Sequence, residues 1–271
     1  MAFTISKQNG QIIINDLGGF ETRNLSTIWC IQRANEIYNF KDFPEIKICT
    51  DDFESTDNYS YSKEINKQNN YAKLVPDFNF HAWPQVGITD YDVCIKEIDK
   101  AGLTKPSLNK VGWIGNSKTN VRRSTMLSIA KQNPTLFNCI DMNWKPTINT
   151  NTNHLDSTYY ISTPDLVKNH AFLIDIEGRG YSGRLKHLLW SHRPVLLVDR
   201  PHKEYFFQYL KEWKHYIPVK RDLSDLVEKT KWCIEHYAES LQIAENAYEF
   251  SKRYLTRNAC YEQWNSIINS I

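Results

Sequence analysis

No apolar stretch in this 271-residue chain approaches the ~20 residues needed to cross a bilayer, so a helical membrane span is excluded. The opening MAFTISKQNGQIIIND shows no charged segment followed by a long apolar one, and the closing WNSIINSI is no KDEL-type retrieval signal. With neither leader nor address visible, a cytoplasmic location is expected. Six cysteines (Cys30, Cys49, Cys94, Cys139, Cys233, Cys260) lack CxxC spacing, which argues against a zinc site or a disulfide scaffold and for free structural thiols. His187, His192 and His202 are close in sequence but lack the HxxxH spacing of metal ligands on one helix face. A net charge of +2 offers no basic surplus for nucleic acid. No GxGxxG loop follows the first strand, which argues against an NAD-dependent enzyme. Internal repeats and low-complexity tracts are also missing.

What is present is an ordinary soluble composition, 41% hydrophobic and 24% charged, with many aromatics: 15 Tyr, 12 Phe and 8 Trp. Such rings dominate core burial and also suit stacking on a base or sugar. The length accommodates two α/β halves. In the first, Gln11–Ile14 and Ile46–Thr50 read as strands. Residues 24–38 read as a helix with Asn24 or Ser26 as N-cap, and 90–101 as a helix stopped by Gly102. Ser55–Asn70, rich in Asp, Asn, Ser and Lys, reads as a loop. Lys105-Pro106 is the expected linker. In the second half, strands 111–114 and 136–140 flank a helix over 122–132, and 147–153 is a polar loop. Alternating strands and helices in both halves predict a parallel-sheet α/β architecture.

The richest stretch is Phe172 to Asp222. FLIDI has the length of a buried strand, EGRGYSG supplies three glycines, RLKHLLW opens a helix, and PVLLVD is a second buried strand. The unit is βαβ, with a ligand crevice expected at its strand ends. Backbone amides at a helix start, the Ser182 hydroxyl and the Arg184 guanidinium suit a diphosphate. Plain turn glycines and a solvated arginine are the simpler reading, and GRGYSG fits neither GxxxxGK[ST] nor a dinucleotide fingerprint.

Three strings, EGRGYSGRLKHLL, KEWKHYIPVKRDLSDL and AENAYEFSKRYL, resemble the C-terminal half of the Rumi-type protein O-glucosyltransferases. These form glycosyltransferase family 90, together with capsule-associated xylosyltransferases. The likeness is strong over roughly Lys110 to Leu255 and thinner before it. It implies a GT-B-like α/β fold of two Rossmann-like domains facing a cleft. The expected domains are 1–105 on the acceptor side and 106–271 for the donor, with a terminal helix packing back on the first half. It also implies inverting transfer of xylose or glucose from a UDP-sugar to a hydroxyl of a glycan or glycoprotein, with no metal or other cofactor. The capsule-associated branch tilts the donor toward xylose. An inactive nucleotide-sugar or glycan-binding module of the same fold is the alternative.

The resemblance also assigns residues. KICTDDF places the family's catalytic base on Asp52, with Asp51 adjacent, because an acceptor hydroxyl needs a carboxylate to take its proton. Ser182 and Arg184 fall on the donor-diphosphate positions, with Gly178 in the same loop; Glu177 stands where human-type members carry arginine. Gly115 and Ser117 fall on a glycine-serine turn, followed by a donor-contacting arginine; one extra residue leaves Arg122 and Arg123 both open. Asp77 and Trp83 fall in an aromatic loop beside the cleft. Lys186 is expected to be a surface charge, and Tyr216 a packing residue beneath the nucleotide.

Overall fold

The computed structural model describes residues 1–53, 58–65, 70–142 and 161–271. The first half opens with a hairpin of β1 (Ala2–Gln8) and β2 (Gln11–Asp16). Asn9 and Gly10 join them at φ of +50° and +79°, the left-handed pair that a two-residue type I′ turn demands. β1 was not foreseen, because its Thr4, Ser6 and Lys7 disguise a strand buried along almost its whole length. The Lys7 ammonium is accommodated by donating to the Phe40 carbonyl at 2.6 Å and to the Asn35 and Asn39 side chains.

α1 (Glu21–Tyr38) begins before the expected cap. Asn24 lies inside it, buried, donating to Asp16 at 2.9 Å and accepting from Thr50 at 2.7 Å. β3 (Phe43–Cys49) pairs antiparallel with β1, and β4 (Tyr59–Ser60) runs parallel to β3, giving the sheet order β2-β1-β3-β4. Parallel pairing was expected throughout this half. The hairpin turn overrides it, since a two-residue connection can join only antiparallel strands. Within the predicted loop over 55–70, the described residues form β4 and β5 (Lys63–Glu64); 54–57 and 66–69 lie outside the described residues. α2 (Tyr91–Gly102) starts at Asp90, whose carboxylate caps the Val93 amide at 3.0 Å. Lys105-Pro106 follows it.

The second half holds β6 (Leu108–Gly115), α3 (Val121–Gln132), β7 (Phe137–Asp141), α4 (Thr163–Asn169), β8 (His170–Asp175), α5 (Leu185–Leu188) and β9 (Val195–Val198). Then come β10 (His202–Lys203), β11 (Ile217–Val219), α6 (Leu226–Glu235), α7 (Tyr237–Tyr254) and α8 (Arg257–Asn269). The polar loop expected over 147–153 lies outside the described residues. β10 pairs with β5, a short ribbon linking the halves. The other five strands form a fully parallel sheet in the order β11-β9-β8-β6-β7. Its central strands are buried on both faces, which is why FLIDI and PVLLV read as continuous apolar runs. Between β9 and β11 lies a short 3₁₀ turn, Tyr205–Tyr209.

From β6 the sheet grows one way to β7 and the other way to β8, β9 and β11, so the carboxyl ends of β6 and β8 flank a topological switch point. One core runs from β1, β3 and α1 to β8, β9 and α8; a second lies under α3 and α6 on the sheet's other face. α8 packs against α1, burying Trp264 and Cys260 completely, and Arg257 at its start pairs with Asp90 and Asp92 of the first half. All six cysteines are free thiols. Among the described residues no helix is long and apolar enough to cross a membrane.

Candidate active site

A cleft of about 250 Å³ opens at the switch point, between the end of β3 and the 78–86 segment on one side and the ends of β6 and β8 on the other. Of the residues singled out in the sequence, Asp52, Trp83, Gly115, Arg123, Gly178, Ser182 and Arg184 line it. Asp51, Asp77, Ser117, Arg122 and Glu177 do not.

Asp52 sits just past β3, where the chain leaves the sheet. Its Oδ1 accepts from Arg23 at 2.9 Å, and both side chains are only partly exposed. Among the described residues Oδ2 has no partner, so it remains for a proton from a bound hydroxyl. Asp51 turns back to cap the Asp52 amide at 2.7 Å and thereby fixes the turn. Arg23 escaped notice in the sequence because it is one charged residue on a polar helix face. Its guanidinium also lies over the Phe20 and Phe78 rings.

The opposite wall is the glycine loop after β8. Two of its glycines are required by contact between the walls. A Cβ on Gly180 would lie 1.9 Å from the Asp52 carbonyl oxygen, and one on Gly183 would lie 2.7 Å from the Asn79 amide and 3.2 Å from Trp83. The backbone amides of Ser182 and Gly183, both lining the cleft, make no hydrogen bond within the described residues, which leaves them available to an anion. The Ser182 hydroxyl is already committed: it donates to Asp175 at 2.7 Å, while the other Asp175 oxygen pairs with buried Arg200. The helix expected to open over RLKHLLW is a single turn, α5, so its dipole is small and the loop amides themselves supply the positive field.

Among the described residues, four arginines, Arg23, Arg123, Arg179 and Arg184, and two carboxylates, Asp52 and Asp175, line the cleft. Arg184 donates to the Ile114 carbonyl at the end of β6. Arg123 resolves the ambiguity over which arginine faces the cleft. It donates to the Glu177 carbonyl at 3.0 Å, the Asn116 carbonyl at 3.2 Å and the Thr119 hydroxyl at 2.9 Å, tying the loops after β6 and β8 together. Burial, and then the neighbouring Arg184 charge, push its pKa down to about 10, so it stays cationic at neutral pH. Its guanidinium lies over Trp113, and the missing side chain of Gly115 leaves room for that indole. Arg122 instead pairs with Glu177 at 3.1 Å, and Arg221 approaches the same carboxylate at 3.6 Å. Ser117 is held by Asp141 through amide and hydroxyl, at 2.9 and 2.7 Å. Arg179 had no assignment. It is exposed among the glycines and lies over Phe53, beside Asp52.

Two expectations are corrected by burial. Lys186, expected at the surface, is wholly inaccessible, bonded to Asp77 at 3.0 Å and Glu204 at 2.8 Å. Asp77, expected to touch substrate, is equally buried; it also accepts from Tyr181 at 3.0 Å and Asn79 at 2.7 Å. This charged cluster underlies the cleft and joins its two walls. Burial raises the Glu204 carboxyl to about 7 against the opposing pull of Lys186. Trp83 is half-buried, edge-on to Phe78 with centroids 5.7 Å apart, so one part packs and the rest forms cleft wall. Tyr216 is half-buried and packs on the larger core. Among the described residues no three His, Cys, Asp or Glu side chains cluster as metal ligands.

Comparison with known proteins follows the same lines. The family model described as Glycosyl transferase family 90 matches residues 35–270. Protein O-glucosyltransferase 3 of Homo sapiens is 34% identical over 92 residues, which cover 34% of this chain but only 18% of that protein. Protein O-glucosyltransferase 1 of Homo sapiens is 22% identical over 277 aligned positions, covering 97% of this chain and 68% of that one. Among solved structures, TarM superposes with a TM-score of 0.47 at 14% identity, over 62% of this chain and 36% of that one.

Proposed function

The chain belongs to glycosyl transferase family 90, and from that premise we propose that it is a UDP-sugar-dependent glycosyltransferase working in the cleft between its two sheets. The observation that carries the reading is the apposition of two unlike walls. Asp52, with one oxygen held by Arg23 and the other open, faces a loop whose unpaired amides and flanking arginines suit a diphosphate.

In this reading the donor is a UDP-sugar carrying xylose or glucose, and the acceptor is a hydroxyl of a glycan or glycoprotein. Asp52 Oδ2 takes the acceptor proton as its oxygen attacks the anomeric carbon from the face opposite UDP. The bond from that carbon to the diphosphate breaks, its electron pair goes to the β-phosphate oxygen, and the anomeric configuration inverts. Ser182 and Gly183 amides, with Arg184, Arg123 and Arg179, stabilise the charge that builds on the leaving group; fixed donors of this kind contribute ~3–4 kcal/mol each to lowering a barrier. Arg23 holds the base in place. Because guanidinium groups and amides meet the diphosphate charge, the reaction is proposed to need no metal.

The test is UDP release from UDP-glucose and UDP-xylose by the purified chain, with and without EDTA, alongside calorimetry with UDP. Turnover surviving chelation supports the reading. Loss of turnover on chelation, restored by manganese, refutes metal independence. Binding of UDP without turnover of any UDP-sugar favours a nucleotide-sugar-binding module. Absence of UDP binding overturns the donor assignment.

A further inference from the structure

Behind Trp83 the cleft continues into a side chamber of about 30 Å³, sharing Trp83, Val86 and Arg184 with the main cavity. Its apolar walls come from Val86, Ile114 and Met142, and nearly as much of its lining is polar, with Thr163, His187 and Arg184 contributing. A water needs roughly 10–15 Å³ of such space, so the chamber accepts about two water-sized groups.

His187 is the telling residue. It is 1% exposed, and neither ring nitrogen makes a hydrogen bond of good geometry among the described residues; a weak contact with the Gly183 backbone engages at most one of them and leaves the other without a partner. Buried polar groups are almost always satisfied, so an orphaned imidazole nitrogen lining a cavity marks a place where something polar binds. Burial, reinforced by the adjacent Lys186 ammonium, depresses its pKa to about 3. The ring is therefore neutral, with one nitrogen to donate and one to accept, which suits a hydroxyl and not an anion.

We propose that this chamber receives the hydroxymethyl group of a hexosyl donor, with His187 hydrogen-bonded to the primary hydroxyl, making the chain selective for UDP-glucose over UDP-xylose. The inference rests on the donor reading above and narrows it. Size supports it: a hydroxymethyl group is one carbon and one oxygen, matching the two water-sized places. Polarity supports it too, since the carbon meets apolar walls and the oxygen meets the only buried imidazole with an unpartnered nitrogen described there. Xylose lacks this group and would leave the imidazole unsatisfied.

The experiment compares kcat/KM for UDP-glucose and UDP-xylose, by UDP release, in the unmodified chain and in Thr163→Met and His187→Phe. UDP calorimetry confirms that each variant is folded. The unmodified chain is expected to prefer UDP-glucose over UDP-xylose at least about tenfold. Thr163→Met, which puts bulk into the chamber from a partly exposed helix start, and His187→Phe, which removes the hydrogen bond, should each lower the glucose-to-xylose ratio by about tenfold. Turnover with UDP-xylose equal to or better than UDP-glucose in the unmodified chain overturns the inference while leaving the transferase reading intact. So does an unchanged ratio in a folded variant. Failure to bind UDP or turn over any UDP-sugar removes both.

Discussion

Replacing Gly180 by alanine tests whether the two walls meet as described. The new Cβ would stand 1.9 Å from the Asp52 carbonyl oxygen and 2.8 Å from its carbonyl carbon, where ordinary contact begins at 3.4 Å. Both partners are backbone, so no rotamer change relieves the overlap; one loop must retreat by ~1.5 Å, the shortfall from that contact distance. Gly180 has no left-handed φ, so the strain comes from contact alone. Overpacking of this kind costs ~1–3 kcal/mol of stability, which predicts a Tm lower by roughly 2–10 °C for a chain of this size. The displaced loops carry the proposed base and the phosphate-binding amides, and a 1 Å misplacement costs on the order of 10²-fold in rate. Gly178→Ala is the control: its nearest contact is the Arg123 guanidinium at 3.3 Å, the end of a long side chain that can shift by tenths of an ångström. Thermal melts and UDP-release kinetics of both variants decide the matter. Equal stability and equal turnover in the two would refute the contact between Asp52 and the glycine loop.

Other expectations can be tested the same way. Asp52→Asn should retain UDP binding by calorimetry while single-turnover transfer falls ~10²–10⁴-fold; if Asp51→Asn fails instead, the base is the neighbouring residue. Arg184→Ala should weaken UDP binding and slow transfer together, because its charge serves both the bound diphosphate and the leaving group. Lys186→Met should lower unfolding free energy by ~3–5 kcal/mol in denaturant titration, since Asp77 and Glu204 would be left buried without their cation. His187 is depressed in the fold to about 3 from an unfolded value near 6.5. The unfolded chain therefore binds more protons between those values, and stability should be lost as pH falls below about 6.5. His187→Phe should flatten that acid limb by roughly 1.4 kcal/mol per pH unit, and an unaltered limb would show that this histidine is not buried neutral.

The parallel half was readable because its physics is local. A strand buried on both faces is a run of apolar letters, and a loop that brings backbone close to a ligand or to a second wall is a run of glycines. Phe172 to Val198 shows both, so β8, β9 and the residues between them followed directly, as did Ser182 and Arg184 in the cleft. β1 failed the same test for an equally physical reason. Its Lys7 is buried only because Asn35, Asn39 and the Phe40 carbonyl converge on it from the C-terminal end of α1, about thirty residues away, and no window along the chain contains those partners. The misplacement of Lys186 and Asp77 has the same origin. Each looks solvated among its neighbours, and each is buried because the other, with Glu204, arrives from a distant part of the chain.

This sorts the site into two kinds of residue. Groups carried by the glycine loop are set by local backbone geometry, and their positions could be read from spacing. Arg23 and Asp52 become cleft features only when β3 and α1 are brought against the parallel sheet. The buried Lys186 cluster lies at that junction, bonding Asp77 of the first half to Glu204 of the second, directly beneath Tyr181 and the glycine loop. A charge network that desolvates three ionisable groups is a poor source of stability compared with apolar packing. Its directional bonds do fix the register between the walls, and the close approach of Gly180 to Asp52 requires such a register. The two features make one argument: loosening the cluster should first alter the alignment of base and diphosphate loop, with the separate sheets remaining folded.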